Sequence, residues 1–307
     1  MRISTNMLFS QGGTQISNLQ SQVTTTQAEI SAGTSLLTPA DNPAAAAQSM
    51  DVYQQQSMNT QFTSNRQMAE TTLNMTGSAL SSMTTLLRSV KSLVVSAGDP
   101  TLTAADRSNI ATQIQNDYSS LLALANSTDG NGNYLFGGYK NSTPPFVQTT
   151  GASGTPSVQY LGDQGQTALQ VGPSQQVTVS TSGQAMLQSG GQDIFATLST
   201  LTSLLNNSNV SNATLTQGLS GINDSITQTL NKVINASSVA GSSLSQLQAL
   251  DTVGSNLDVQ YSQTLSNLQS LDYAKTISQL SEQTTTLQAA QMSFVKIENL
   301  SLFNYIN

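Results

Sequence analysis

The sequence predicts a mainly α protein: a long antiparallel helical bundle or coiled coil built from both chain ends, with a small β insertion in the middle. Three observations predict it. Apolar residues recur every seven positions toward both ends of the chain. Short β-branched runs punctuated by Gly and Pro occur between about 141 and 190. Ser, Thr, Gln and Asn crowd the chain and leave only 37% of its 307 residues hydrophobic, which suits either thin helical cores or an apolar surface that waits for neighbouring subunits.

Taken in order, Phe9, Ile16, Val23 and Ile30 form a first heptad seam, with Thr5, Gly12, Leu19 and Thr26 in the alternate column. That spacing stops at Gly33, ahead of Pro39 and Pro43. Asn42 fits an N-cap, with Pro43 at the first helical position, where no amide hydrogen is needed. A second helix over roughly 43–97 carries Leu73, Leu80, Leu87 and Val94 on one seam, with Met83, Val90 and Ala97 beside them. "AGDP" ends it, with Gly98 placed for a positive φ and Pro100 unable to continue a helix. "TAAD" from Thr103 to Asp106 reads as a capping box with Asp replacing Glu. Ile110, Ile114, Leu121 and Ala125 carry the third helix.

"VQYLG", "TALQVG" and "QVTVSTSG" then read as short strands, Val177 and Val179 alternating with polar residues. Asp193 caps a further helix with Ile194, Leu198, Leu201 and Leu205 on one face, broken at "NNSNVSN". In the last helical region Leu219, Ile226, Val233, Ala240, Leu247, Gly254, Tyr261 and Leu268 hold one heptad frame. Continued, that frame would place Lys275 and Glu282 in the seam, so a new one begins: Tyr273, Leu280, Leu287 and Phe294, with Ile297, Leu300 and Phe303 beyond. Such a phase break locally alters the supercoil or marks a change of partner, and it is read as a domain boundary near 272. The expected domains are therefore 1–42 with 272–307 as a terminal coiled coil, 43–140 with 193–271 as a helical bundle, and 141–192 as a β-rich insertion.

Composition narrows the function. Nine basic and sixteen acidic residues give a net charge of −7 without blocks, so no basic patch exists for nucleic acid or for a membrane surface. The N-terminal stretch has no 7–15-residue apolar core, and nowhere do 18 apolar residues run together, which predicts neither a cleaved signal peptide nor a membrane span. With no Cys and no His, thiolate nucleophiles, imidazole bases and most zinc chemistry are absent. The acids are scattered. The expectation is a non-enzyme without cofactor or metal.

One stretch looks like a ligand site: "LANSTDGNGNYLFGGYKNSTPPF", residues 124–146. An EF-hand loop starting at Asp129 would put Asn131 and Asn133 at its third and fifth positions, but Tyr134 and Lys140 stand where the turn Gly and bidentate Glu are needed. No Gly-Lys-Ser/Thr follows for a phosphate loop, and Leu135 occupies the third-glycine position of a dinucleotide fingerprint. What remains is a chain reversal made by Asp129, Gly130, Asn131 and Gly132, anchored by Tyr134, Phe136, Gly137 and Tyr139.

Four stretches together carry a resemblance. "ISAGTSLLTPADNPAAAAQSM" (30–50) and "LQAAQMSFVKIENLSLFN" (287–304) resemble the two ends of the bacterial flagellin family. The 124–146 stretch and "VQYLGDQGQTALQVGP" are similar to the members that stand at the hook–filament junction. The resemblance implies a structural flagellar protein, extracellular, exported unfolded through the flagellar type III apparatus. It implies polymerisation into a ring of identical subunits between the other hook–filament junction protein and flagellin, and an export chaperone as a further partner. Paired terminal helices would line the inner tube, so the seam residues Phe9, Ile16, Leu19, Val23, Ile30, Tyr273, Leu280, Leu287, Phe294, Ile297, Leu300 and Phe303 are the expected assembly interface. The sequence departs from the family at Thr34, Ser35 and Leu36, where basic residues are common, which removes the basis for an electrostatic contact between subunits there. A flagellin filament subunit, and a calcium-dependent adhesive module using Asp129, Asn131 and Asn133, are the alternative readings.

Overall fold

The computed structural model describes residues 2–150 and 156–306; side chains are described for residue 7, residues 9–150 and 157–297. Its elements run α1 (Arg2–Ala32), α2 (Pro43–Ala97), α3 (Ala104–Ala125), β1 (Phe146–Thr150), β2 (Pro156–Tyr160), β3 (Ala168–Gly172) and β4 (Gln175–Thr178). They continue α4 (Gly183–Leu187), α5 (Ile194–Asn206), α6 (Asn212–Gln269) and α7 (Tyr273–Ile306). The fold is mainly α, with two antiparallel hairpins, β1–β2 and β3–β4, as its sheets among the described residues.

The helix ends follow local chemistry. Asn42 Oδ1 accepts from the Ala45 amide at 3.1 Å, capping α2. Thr103 and Asp106 form the full capping box of α3. Asp193 Oδ1 accepts from the Phe195 and Ala196 amides at the start of α5. α1 ends at Gly33, whose φ is +70°. Gly98 departs from expectation: it does not take a positive φ. The end of α2 instead tightens through i→i−3 bonds, Gly98 N–H to Val95 O at 3.2 Å and Asp99 N–H to Ser96 O at 3.1 Å.

The chain divides into two compact units, residues 1–58 with 256–307 and residues 59–255. The larger unit holds the main core. Leu80, Met83, Leu87 and Val90 of α2 meet Ile114, Tyr118 and Leu121 of α3, Leu198 and Leu201 of α5, and Ile226 and Val233 of α6 in one buried cluster. Each such side chain contributes about 1.5–3 kcal/mol of burial. Phe146 opens the β segment inside this core, its ring 5.1 Å from Tyr160 and 5.6 Å from Phe195. A second cluster seats the β3–β4 hairpin: Val171, Val177 and Val179 pack with Ala69 and Leu73 of α2 and Ala240 and Leu247 of α6. Polar residues enter the helices by bonding their own backbone. The buried Thr76 and Thr229 hydroxyls donate to the carbonyls of Thr72 and Ser225 at 2.9 and 3.0 Å. Each buried hydroxyl is thereby satisfied without a partner on another helix.

Candidate assembly interface

In the smaller unit α1 and α7 run antiparallel against each other. Phe9 meets Phe294 edge to face, ring centroids 5.8 Å apart, and at the other end the Tyr273 hydroxyl lies over Gly33. A Cβ on Gly33 would lie 2.8 Å from that hydroxyl, so the glycine answers both the positive φ and the close approach. The linker from α1 to α2 is tied to the end of α6: Ser35 N–H donates to Gln269 O at 2.9 Å, and Tyr53 Oη donates to Gln269 Oε1 at 3.2 Å. Asp272 caps α7 through the Lys275 amide at 3.1 Å.

The seam between α1 and α7 is only half closed within one chain. Val23 and Thr26 are buried on α1, and Thr276 on α7. Ile16, Leu19, Ile30, Leu280, Leu287 and Phe294 are half-buried. Tyr273 and Ile297 are 50% and 55% exposed. Leu300 and Phe303 lie outside the residues whose side chains are described. Apart from the predicted positions, Ile277, Met292 and Val295 stand exposed on α7 and Met7 on α1. Heptad counting passes over these four because they fall outside both columns; only their bulk on so polar a helix could have marked them. Gly12, in the weak column, has a use that counting also hides: a Cβ there would lie 2.9 Å from Phe294 Cδ2.

The 124–146 stretch is built as a clasp. Asp129 Oδ1 accepts from the Asn131 and Asn133 amides, both at 2.8 Å, and Asn133 Nδ2 donates to Oδ2 at 3.1 Å. Burial opposes the charged form of Asp129, but these donors outweigh it and hold its pKa below the usual carboxylate value. Gly132 takes φ +85°, and Thr128 bridges antiparallel to Tyr134. Gly130 and Asn131 are exposed at the tip. Phe136 is fully buried in the main core, and its carbonyl accepts from Tyr160 Oη at 2.9 Å. Asp163 Oδ1 accepts from the amides of Tyr139 at 2.8 Å and Gly165 at 2.9 Å; these bonds lower its pKa, with Lys140 nearby adding to the effect. Tyr139 lies across Gly165 and donates its hydroxyl to Gln166 O at 3.0 Å. Gly137 is packed so closely that a Cβ would lie 2.6 Å from Lys140 O. The Asp129 oxygens are thus engaged by the loop itself, and no group of three or more His, Cys, Asp or Glu side chains suited to a metal occurs among the described residues.

A helical chain with this layout has close relatives. The flagellar hook-associated protein 3 of Salmonella typhimurium (strain LT2) is 32% identical over 313 aligned residues, spanning 99% of either chain. The chain belongs to the flagellar hook-associated protein 3 family. The Escherichia coli (strain K12) protein of that name is likewise 32% identical over 313 residues and 99% of either chain. The model of the bacterial flagellin N-terminal helical region matches residues 3–141, from α1 through the clasp. Among solved structures, FlgL of Xanthomonas campestris shares the fold with a TM-score of 0.62 at 20% identity, over 69% of this chain and 98% of that one. As a member of the hook-associated protein 3 family, the chain is a structural component of the bacterial flagellum. No helix among the described residues is long and apolar enough to cross a membrane.

Proposed function

We propose that the chain is the junction adaptor between hook and filament, forming a ring of identical subunits that receives the other hook–filament junction protein on one side and flagellin on the other. Its role is structural rather than catalytic. It reaches the outside of the cell held by an export chaperone on the way. The observation that supports this most is the half-closed α1–α7 pair: Tyr273 and Ile297 of the predicted seam, and Ile277, Met292 and Val295 beside it, stand exposed in a single chain. Large apolar side chains left exposed on so polar a helix suit an interaction surface, and neighbouring copies bring matching helices in a symmetric assembly. The predicted seam residues and these exposed ones then form the assembly interface, while the 124–146 clasp distinguishes the junction member from a filament subunit.

Deletion of the gene tests the proposal. Hooks viewed by electron microscopy should end bare, with flagellin released to the medium. Normal filaments on hooks lacking this chain would contradict the adaptor role.

A further inference from the structure

The seam of α2 that runs through Val94, Leu87, Leu80 and Leu73 continues in the same frame through Arg66 and Asn59, and both are buried. Arg66 is 3% exposed in a chain of which 8% is charged, and it makes the one ion pair among the described residues, with Asp251 of α6. Its guanidinium is fully engaged in a fork: Nε to Asp251 Oδ1, Nη2 to Thr63 Oγ1 at 2.8 Å, and Nη1 to the carbonyl of Val171 at 3.0 Å. That carbonyl is free because Val171 is the extra residue of a β-bulge: Gln170 pairs with Gln176 and Gly172 with Gln175, leaving Val171 without a ladder partner. The neighbouring Asn65 Nδ2 donates to Gln170 O at 2.7 Å. On α6, Gly254 passes directly against Arg66 Nη2, where any Cβ would collide, and its carbonyl accepts from Asn59 Nδ2 at 2.8 Å.

We infer that Arg66 is the positioning residue that sets the axial register of α2 against α6 and, through the Val171 carbonyl, seats the β3–β4 hairpin at that register. Heptad seams are degenerate. Sliding α6 by one heptad, about 10 Å, again lays apolar residues on apolar residues, since Leu219, Ile226, Val233, Ala240 and Leu247 follow one another at sevenfold spacing. A buried polar residue in such a column breaks the degeneracy. The carboxylate alone does not, because Asp258 stands one heptad beyond Asp251. Gly254 does: its heptad equivalents are Leu247 and Tyr261, and neither leaves room for the guanidinium. A slip in one direction puts Tyr261 on the cation. In the other, Leu244 replaces Asp251 and the charge is stranded.

The chain has no cysteine, so spin labels on Met68→Cys and Val239→Cys, both exposed in the same unit, report the register without background. In the otherwise unaltered chain, pulsed dipolar spectroscopy should give one distance. Arg66→Met removes the buried cation and leaves Asp251, whose side chain is 35% exposed, to water. Arg66→Met with Asp251→Leu removes both charges. Each should add a second distance, from an axial offset changed by about 10 Å. If both variants keep the parent's single distance, the register is set elsewhere and the inference is wrong.

Discussion

The Phe294 ring lies edge-on to Phe9 and rests on Gly12, where a Cβ would come within 2.9 Å of its Cδ2. The α1–α7 pair is closed at this end by an aromatic contact and a missing side chain. Gly13, one residue on, has nothing within 4 Å of its Cβ position. The two glycines therefore respond oppositely to the same substitution. Gly13→Ala should stabilise α1 in the isolated chain by up to about 1 kcal/mol, the usual helix-interior gain. Gly12→Ala should lose that gain to displacement of the ring. Amide hydrogen exchange along α1 reads both, and equal protection in the two variants would show that the ring does not rest on Gly12.

Acid should loosen the clasp locally. Asp163 is held below its ordinary pKa by the Tyr139 and Gly165 amides, and Asp129 by its donors in spite of burial. A depressed carboxylate contributes stability that is present above its unfolded value, about 3.9, and is lost as pH falls through the folded value. The protection of the Tyr139 and Gly165 amides, taken relative to their intrinsic exchange rates, should therefore fall below about pH 4. In Asp163→Asn that pH dependence should disappear, while the Asn131 and Asn133 amides keep theirs through Asp129.

Two glycines of the same stretch differ in what surrounds them. Gly132 has φ +85° and open space around its Cβ position, so Gly132→Ala should cost about 1–2 kcal/mol for the left-handed backbone alone. Gly138 has φ +71°, and a Cβ there would lie 2.5 Å from the Asp163 carbonyl oxygen. Gly138→Ala should cost more than Gly132→Ala, because the clasp must open as well. Denaturant midpoints of the two variants check the order.

Asp193 caps α5 and also accepts from Gln188 Nε2 at 2.9 Å. Asp193→Ala should lower stability by about 1 kcal/mol through the lost cap, read as a fall in Tm. Ser in its place should recover most of the capping share and none of the Gln188 bond.

Much of this architecture was legible because helix chemistry is local. Asn42, Thr103 and Asp193 are readable caps, and β4 betrays itself by Val177 between polar and turn residues, whereas β1 lay outside the runs read as strands. Gly98 misled because a glycine permits a positive φ without requiring one, and the i→i−3 bonds of the last turn satisfied the same backbone groups. The roles of Gly12 and Arg66 were hidden for another reason. Each depends on a partner far along the chain, Phe294 for one and Asp251 with the Val171 carbonyl for the other. A seam extended backward from Leu73 does arrive at Arg66 and Asn59, but nothing in the sequence says whether such residues turn inward.

The central claim is that the apolar side chains left exposed on α7 join neighbouring subunits. Ile277 and Ile297 are 54% and 55% exposed in the single chain, so charges there should spare its fold. In cells producing Ile277→Asp with Ile297→Asp as their only copy, the chain should be exported with unchanged circular dichroism. It should fail to appear on hook ends, and flagellin should collect in the medium. Filaments of normal number on hooks carrying the double variant would contradict the claim.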